Sequence, residues 1–177
     1  MNTLLYACSL SPVSRSVLLA NAVRDGLEAR GHQTTLIDLR QHPLPMCDGC
    51  AATGGEAVAT LAAQAEAADA VMLAVPVYNY GVNAACKNLI EWIGRSWSEK
   101  PVGFACAAGG RHGYMAVMHT ANSLMLDFRC QVCPRYVYAT YDDFEDDRPG
   151  PELLERTDLL AADLDFLART QAPTPVS

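Results

Sequence analysis

The chain is predicted to fold as an α/β protein, a five-stranded, doubly wound parallel sheet with helices on both faces. Three observations predict it. Five short runs of strand-like composition lie at residues 3–8, 32–39, 70–75, 102–108 and 131–138. Segments with apolar residues at helical spacing separate them. No internal repeat, long linker or composition shift interrupts the alternation, and strands alternating with helices imply right-handed crossovers and a parallel sheet.

Residues 3–8 (TLLYAC) form the first strand. The turn Ser9-Leu10-Ser11-Pro12-Val13-Ser14-Arg15-Ser16 follows, and then a helix with Leu19, Val23, Gly26 and Leu27 on one side. Ser14 reads as its N-cap and Gly31 as its C′ residue. Residues 32–39 carry interspersed polar side chains, as suits a strand near the sheet edge. Residues 42–55 hold too many prolines and glycines for regular structure, and residues 56–68 form an alanine-rich helix. The run 70–75 has no polar alternation, which suits a strand covered on both faces. Pro76, which cannot donate to a ladder, is expected to end it.

Val77, Tyr78, Asn79, Tyr80 and Gly81 then make a polar-aromatic loop with a glycine hinge, and a helix begins at Ala84 with Ala85, Leu89, Trp92 and Ile93 in phase. After Lys100-Pro101 the fourth strand runs into Gly109-Gly110-Arg111-His112-Gly113. These glycines let a flat ligand approach the backbone closely. Ala116, Val117, Thr120, Leu124 and Met125 resume helical spacing, residues 131–138 form the fifth strand, and 153–168 the closing helix. Residues 142–147 (DDFEDD) are expected to be an acidic exposed loop with a solvated surface. Residues 1–170 are expected to be one domain and 171–177 a loose tail.

With strand order 2-1-3-4-5 the chain reverses direction between strands one and three, and ligands bind at the carboxyl edge there. The loops after strands one, three and four meet at that edge. The first has the parts of an anion cradle: backbone N–H groups, serine hydroxyls, the positive end of a helix dipole and the Arg15 guanidinium. It lacks the Gly-x-Gly-x-x-Gly and Lys-Ser/Thr patterns of dinucleotide and P-loop sites, so a monophosphate is expected. Together the loops describe a site for a flat heterocycle carrying a phosphate. FMN fits well, and a nucleotide monophosphate is the weaker alternative.

The net charge of -7 argues against nucleic acid and anionic membranes as partners. The amino terminus shows no secretory pattern, and the apolar runs are shorter than a membrane span, so a cytoplasmic protein is expected. Seven cysteines then read as reduced thiols. Cys47 and Cys50, and Cys130 and Cys133, have zinc-like spacing. The latter pair sits in an expected strand, where residues three apart face opposite ways, so no metal site is expected.

The chain resembles the NADPH-dependent FMN reductase family of flavodoxin-like proteins over nearly its whole length. Three motifs carry the resemblance: Ser9-Leu10-Ser11-Pro12-Val13-Ser14-Arg15-Ser16, Pro76-Val77-Tyr78-Asn79 with Lys87-Asn88, and Gly109-Gly110-Arg111-His112-Gly113. It implies a flavodoxin-like fold, FMN phosphate held by Ser9, Ser11, Ser14, Arg15 and Ser16, and a ring flanked by Pro76, Val77, Tyr78, Asn79 and Gly81 and by Gly109, Gly110 and Gly113. The family often has arginine at Ser11 and Pro-Gly at Asn83-Ala84. The implied reaction is hydride transfer from NADPH to FMN, then electron delivery to a small-molecule acceptor. The cofactor supplies the chemistry, so no catalytic side chain is expected. Arg111 is a candidate partner for a nicotinamide-side phosphate. Family members are commonly homodimers or homotetramers. Three rivals are a flavodoxin-type electron carrier, a quinone, azo or chromate reductase of the same fold, and a redox sensor using Cys47 and Cys50.

Overall fold

The computed structural model describes residues 1–171. Its elements in order are β1 (Asn2–Ala7), α1 (Arg15–Ala29), β2 (Gln33–Asp38), α2 (Ala51–Ala67), β3 (Ala70–Tyr78), β4 (Gly81–Val82), α3 (Ala84–Ile93) and β5 (Pro101–Ala107). Then come α4 (Met118–Phe128), β6 (Gln131–Val132), β7 (Val137–Ala139), β8 (Phe144–Glu145), β9 (Arg148–Pro149) and α5 (Pro151–Gln171). The main sheet runs β2-β1-β3-β5, with β6 and β7 both beside β5, and all of these pairings are parallel. With β6 and β7 as two pieces of the fifth strand, this is the expected order 2-1-3-4-5.

Period-two alternation divides the strands between two cores. Leu5, Ala7, Met72, Ala74 and Ala105 pack with Leu19, Val23 and Leu27 of α1 and Leu160 and Leu164 of α5. Leu4, Tyr6, Leu73, Val75 and Phe104 pack on the other face with Leu61 of α2, Leu89 of α3 and Leu124 of α4. Cover on both faces is why residues 70–75 need no polar alternation. Ser14 caps α1, its Oγ accepting the Val17 N–H at 3.3 Å, and Gly31 follows that helix at φ 84°.

Four expectations are corrected. Pro76 does not end β3, which continues to Tyr78 with Pro76 opposite Ala107. The Ala74 carbonyl accepts the Cys8 N–H, so by period two the Pro76 nitrogen also faces the β1 side, where β1 has already ended. No ladder bond is lost there. The fifth strand is broken between Val132 and Val137, where Pro134 interrupts it. Helix α2 starts at Ala51, inside the expected loop, and kinks at Gly55 (φ 59°, ψ -159°). The acidic segment stays largely exposed but is not a plain loop. The Asp143 carboxylate accepts the Thr140 N–H at 2.7 Å and pairs with Arg156, and β8 and β9 form a small antiparallel ribbon.

Cys130 belongs to the core on the α2–α4 side and Cys133 to the α1–α5 core. Among the described residues no cluster of three or more His, Cys, Asp or Glu is placed to hold a metal, and no helix is long and apolar enough to cross a membrane. The expected loose tail lies outside the described residues except for Gln171, which ends α5.

Candidate functional site

The turn after β1 is organised by its own hydroxyls. Ser9 Oγ accepts the Ser11 N–H at 3.3 Å, and Ser11 Oγ donates to the Val13 carbonyl at 2.9 Å. Ser9 and Ser16 are buried. The first N–H groups of α1 have no partner within the helix, and the dipole adds positive potential at that end. Arg15 lies over the Tyr141 ring, 4.4 Å from its centroid, and its Nη2 donates to Asp147 Oδ1 at 3.1 Å. Among the described residues its Nε is buried without a hydrogen-bond partner. An orphaned guanidinium N–H beside a helix N-terminus is a ready contact for an anion.

The loop after β3 is tighter than a hinge. Val77 pairs with Val82 and Tyr78 with Gly81, leaving Asn79 and Tyr80 as a two-residue turn at φ 51° and 62°. Two successive left-handed residues are the mark of a type I′ hairpin. Gly81 itself has no positive φ among the described glycines. Past the hairpin, Asn83 Nδ2 donates to the Cys8 carbonyl at 2.7 Å, fastening the start of α3 to the end of β1. The Asn83 Oδ1 is buried and has no partner among the described residues.

The glycine loop after β5 forms the opposite wall. A cleft of about 350 Å³ lies between it and the hairpin, lined by Val77, Asn79 and Tyr80 on one side and Gly109, Gly110 and Gly113 on the other, with His112 and Tyr138. The Tyr138 hydroxyl donates to the Gly110 carbonyl at 2.6 Å, and burial pushes its pKa up. A Cβ on Gly110 would meet nothing within 4 Å, whereas one on Gly113 would come 3.0 Å from the Tyr138 hydroxyl and 3.1 Å from Val77 Cγ1. A Cβ on Gly109 would lie 3.4 Å from the Tyr141 ring, the same ring that carries Arg15. Tyr141 thus joins the serine loop to the glycine loop.

Of the residues picked out in the sequence, the structure brings Val77, Asn79, Gly109, Gly110 and Gly113 to one cleft. Ser9, Ser11, Ser14, Arg15 and Ser16 sit in the adjoining serine loop. Pro76, Tyr78 and Gly81 do not line the cleft. Pro76 is buried in the strand, and Tyr78 is exposed on the other side of the hairpin. Arg111 faces a neighbouring hollow of about 450 Å³ with Tyr114, Tyr136, Tyr138 and Arg156, its Nη2 3.6 Å from Asp142. Tyr80, Tyr138, Tyr141 and Asn83 were not picked out as site residues. The signal for the first was its place between Asn79 and Gly81. For Tyr138 and Tyr141 it was a tyrosine-rich segment ending the fifth strand, on the same edge as the other loops. A mostly apolar hollow of about 390 Å³ lies against α3, lined by Leu10, Leu39, Leu44 and Ala84 with Arg40 and His42 at its polar side. The smaller rim cleft, flanked by hydroxyls and paired glycines, suits a phosphorylated ring better.

A parallel sheet of this order, with a hydroxyl-rich turn at α1 and two further loops closing on the same edge, defines a flavodoxin-like protein. Its parts fit FMN: unpaired N–H groups and the orphaned Arg15 Nε suit the phosphate, and the glycine-walled cleft suits a flat ring. An oxidoreductase from Corynebacterium diphtheriae has the same fold, with a TM-score of 0.81 at 19% identity over 97% of this chain and 98% of that one. The chain belongs to the NADPH-dependent FMN reductase family, whose sequence model matches residues 1–143. It is similar to an NAD(P)H-dependent FAD/FMN reductase of Geobacillus thermodenitrificans, 27% identical over 130 residues, which cover 71% of this chain and 70% of that one. It is also similar to an NAD(P)H-dependent FMN reductase of Pseudomonas aeruginosa, 36% identical over 92 residues, 50% of each chain. The family is one of enzymes, and NAD(P)H-dependent flavin reduction is its activity.

Proposed function

We propose that FMN binds with its phosphate on Ser9, Ser11, Ser14, Arg15 and Ser16 and its ring in the cleft between Asn79-Tyr80 and the glycine loop. NADPH is the electron donor, and the acceptor is a small molecule such as free flavin or a quinone. The observation that carries the assignment is the meeting of three loops at one edge with an unpartnered Arg15 Nε beside the phosphate turn. When bound, FMN supplies the redox chemistry, accepting hydride from nicotinamide and releasing electrons to the acceptor.

The protein's part is binding and orientation. The serine loop and α1 N-terminus neutralise the phosphate. The glycine loop, free of side chains at Gly109 and Gly110, lets the ring lie close to backbone N–H groups, which favour negative charge on the reduced ring. Val77 and Tyr138 close the cleft and limit water, and the Tyr138 hydroxyl fixes the Gly110 carbonyl by its 2.6 Å bond. No side chain is assigned as acid, base or nucleophile. Arg111 is assigned to a phosphate on the donor side. The exposed apolar side chains of Met118, Met125 and Leu126 support a homodimer through α4.

The test is a titration of the purified protein with FMN, followed by anaerobic addition of NADPH. Quenched flavin fluorescence and bleaching of the flavin band are expected. An electron carrier would bind FMN without oxidising NADPH. If excess FMN gives neither quenching nor heat, the assignment fails.

A further inference from the structure

Outside the three loops, Arg40 stands at the turn after β2 with its guanidinium clamped. Asp38 accepts the Arg40 backbone N–H at 3.0 Å and Nε at 2.9 Å, and also takes Nη2. The side chain of Asp38 is only 13% exposed, so the fork is fixed from behind. Its remaining nitrogen, Nη1, donates to the Ser11 carbonyl at 3.3 Å and the Pro12 carbonyl at 3.2 Å. Both acceptors belong to the serine turn.

In a trans peptide the C=O and N–H point opposite ways. Holding the Pro12 carbonyl toward Arg40 therefore turns the Val13 N–H to the other side, and Val13 N–H has no partner among the described residues. The Ser11–Pro12 peptide has no N–H at all. Without a cation behind the turn, either carbonyl could rotate and place oxygen lone pairs where an anion binds.

We propose that Arg40, held by Asp38, is a positioning residue that sets the polarity of the serine turn and so gives the site its preference for a phosphorylated flavin. The proposal rests on the FMN assignment above. Arg40 acts through the backbone and does not itself need to touch the phosphate.

The experiment measures dissociation constants for FMN and for riboflavin, which lacks the phosphate, by flavin fluorescence on wild type, Arg40→Leu and Arg40→Lys. Wild type is expected to prefer FMN. Arg40→Leu should weaken FMN roughly tenfold or more while riboflavin changes less than about twofold. Arg40→Lys keeps the charge but not the fork, and should fall between. Its FMN-to-riboflavin ratio decides the matter if the leucine variant does not fold. Unchanged FMN binding in the variants overturns the proposal. So does an equal loss for both ligands, which would mark Arg40 as scaffold only. A wild type that binds neither flavin, or both alike, refutes the FMN assignment first and is recognised before any variant is made.

Discussion

Replacing Gly113 by alanine tests the cleft most directly. Gly113 has no positive φ among the described glycines, so the substitution strains contacts rather than backbone. The new Cβ would sit 3.0 Å from the Tyr138 hydroxyl and 3.1 Å from Val77 Cγ1, both cleft walls, so these neighbours must give by a few tenths of an ångström. Overpacking of this kind costs about 2 kcal/mol, within the usual ~1–3. For a domain of this size that lowers Tm by about 4–8 °C. The hydroxyl cannot retreat without stretching its 2.6 Å bond to the Gly110 carbonyl, so the glycine loop moves too. FMN and riboflavin should therefore weaken together, by about tenfold. Tyr138→Phe removes the offending oxygen. The nearest remaining atom of that ring is then 3.9 Å away, an ordinary contact, although Val77 stays close. On its own, Tyr138→Phe loses one hydrogen bond, about 1 kcal/mol. If half the strain belongs to the hydroxyl, the double variant costs about 2 kcal/mol rather than the additive 3, a coupling of about -1 kcal/mol. Chemical denaturation of the four proteins measures this cycle. Additivity within about 0.5 kcal/mol, or a Gly113→Ala protein with wild-type Tm and flavin affinity, refutes the packing argument.

Arg111→Ala should raise KM for NADPH while leaving KM for NADH and kcat unchanged; equal effects on both nucleotides would remove Arg111 from the donor phosphate. The hydrogen bond from Arg40 holds the Asp38 carboxyl below its ordinary value of 3.8. The folded state thus binds fewer protons there than the unfolded state, so this contribution is full above the unfolded pKa and disappears as pH falls through the lower folded one. Urea melts across the acid range should show a shallower loss of stability for Asp38→Asn than for wild type, and parallel profiles would contradict the assignment. Cys50 is exposed at the start of α2, where the N–H groups of Ala52 and Thr53 pull its pKa down. Limiting iodoacetamide should alkylate it first, with the buried Cys8, Cys86 and Cys106 unmodified by mass spectrometry. Preferential labelling at any of those three would be the adverse result. For the α4 face, light scattering should give a dimer, and Leu126→Glu, at a residue 74% exposed, should shift the mass to monomer. A wild-type monomer ends that proposal.

The strand order was legible because each buried run is short, apolar and separated from the next by a helix-period segment. Proline misled in one direction and informed in the other. In sequence Pro76 reads as a stop, yet a missing N–H costs nothing once β1 has ended, and only the pairing of Cys8 with Ala74 reveals where that is. Pro134, in a run of otherwise continuous strand-like composition, does break the ladder. In the site, the serine turn and the paired glycines announce themselves because their chemistry is local. Had β3 been read through Pro76, period two would have placed Val77 and Asn79 on one side and Pro76 and Tyr78 on the other, as found. Tyr138 and Tyr141 could not be placed from sequence. Their positions depend on Cys106 lying opposite Tyr138 across two strands and on a ribbon closed by Asp147 against Arg15.

The hairpin at Asn79 and Tyr80 reverses direction with a tyrosine at the second position, where glycine is usual, and both of its arms are laddered. Such a corner is set before any guest arrives. Little disorder is left to surrender on docking, so capture of the ring should run at the pace of encounter instead of waiting for a gate to swing. The same stiffness fixes one wall of the slot, against which a flat guest lies better than a thick one.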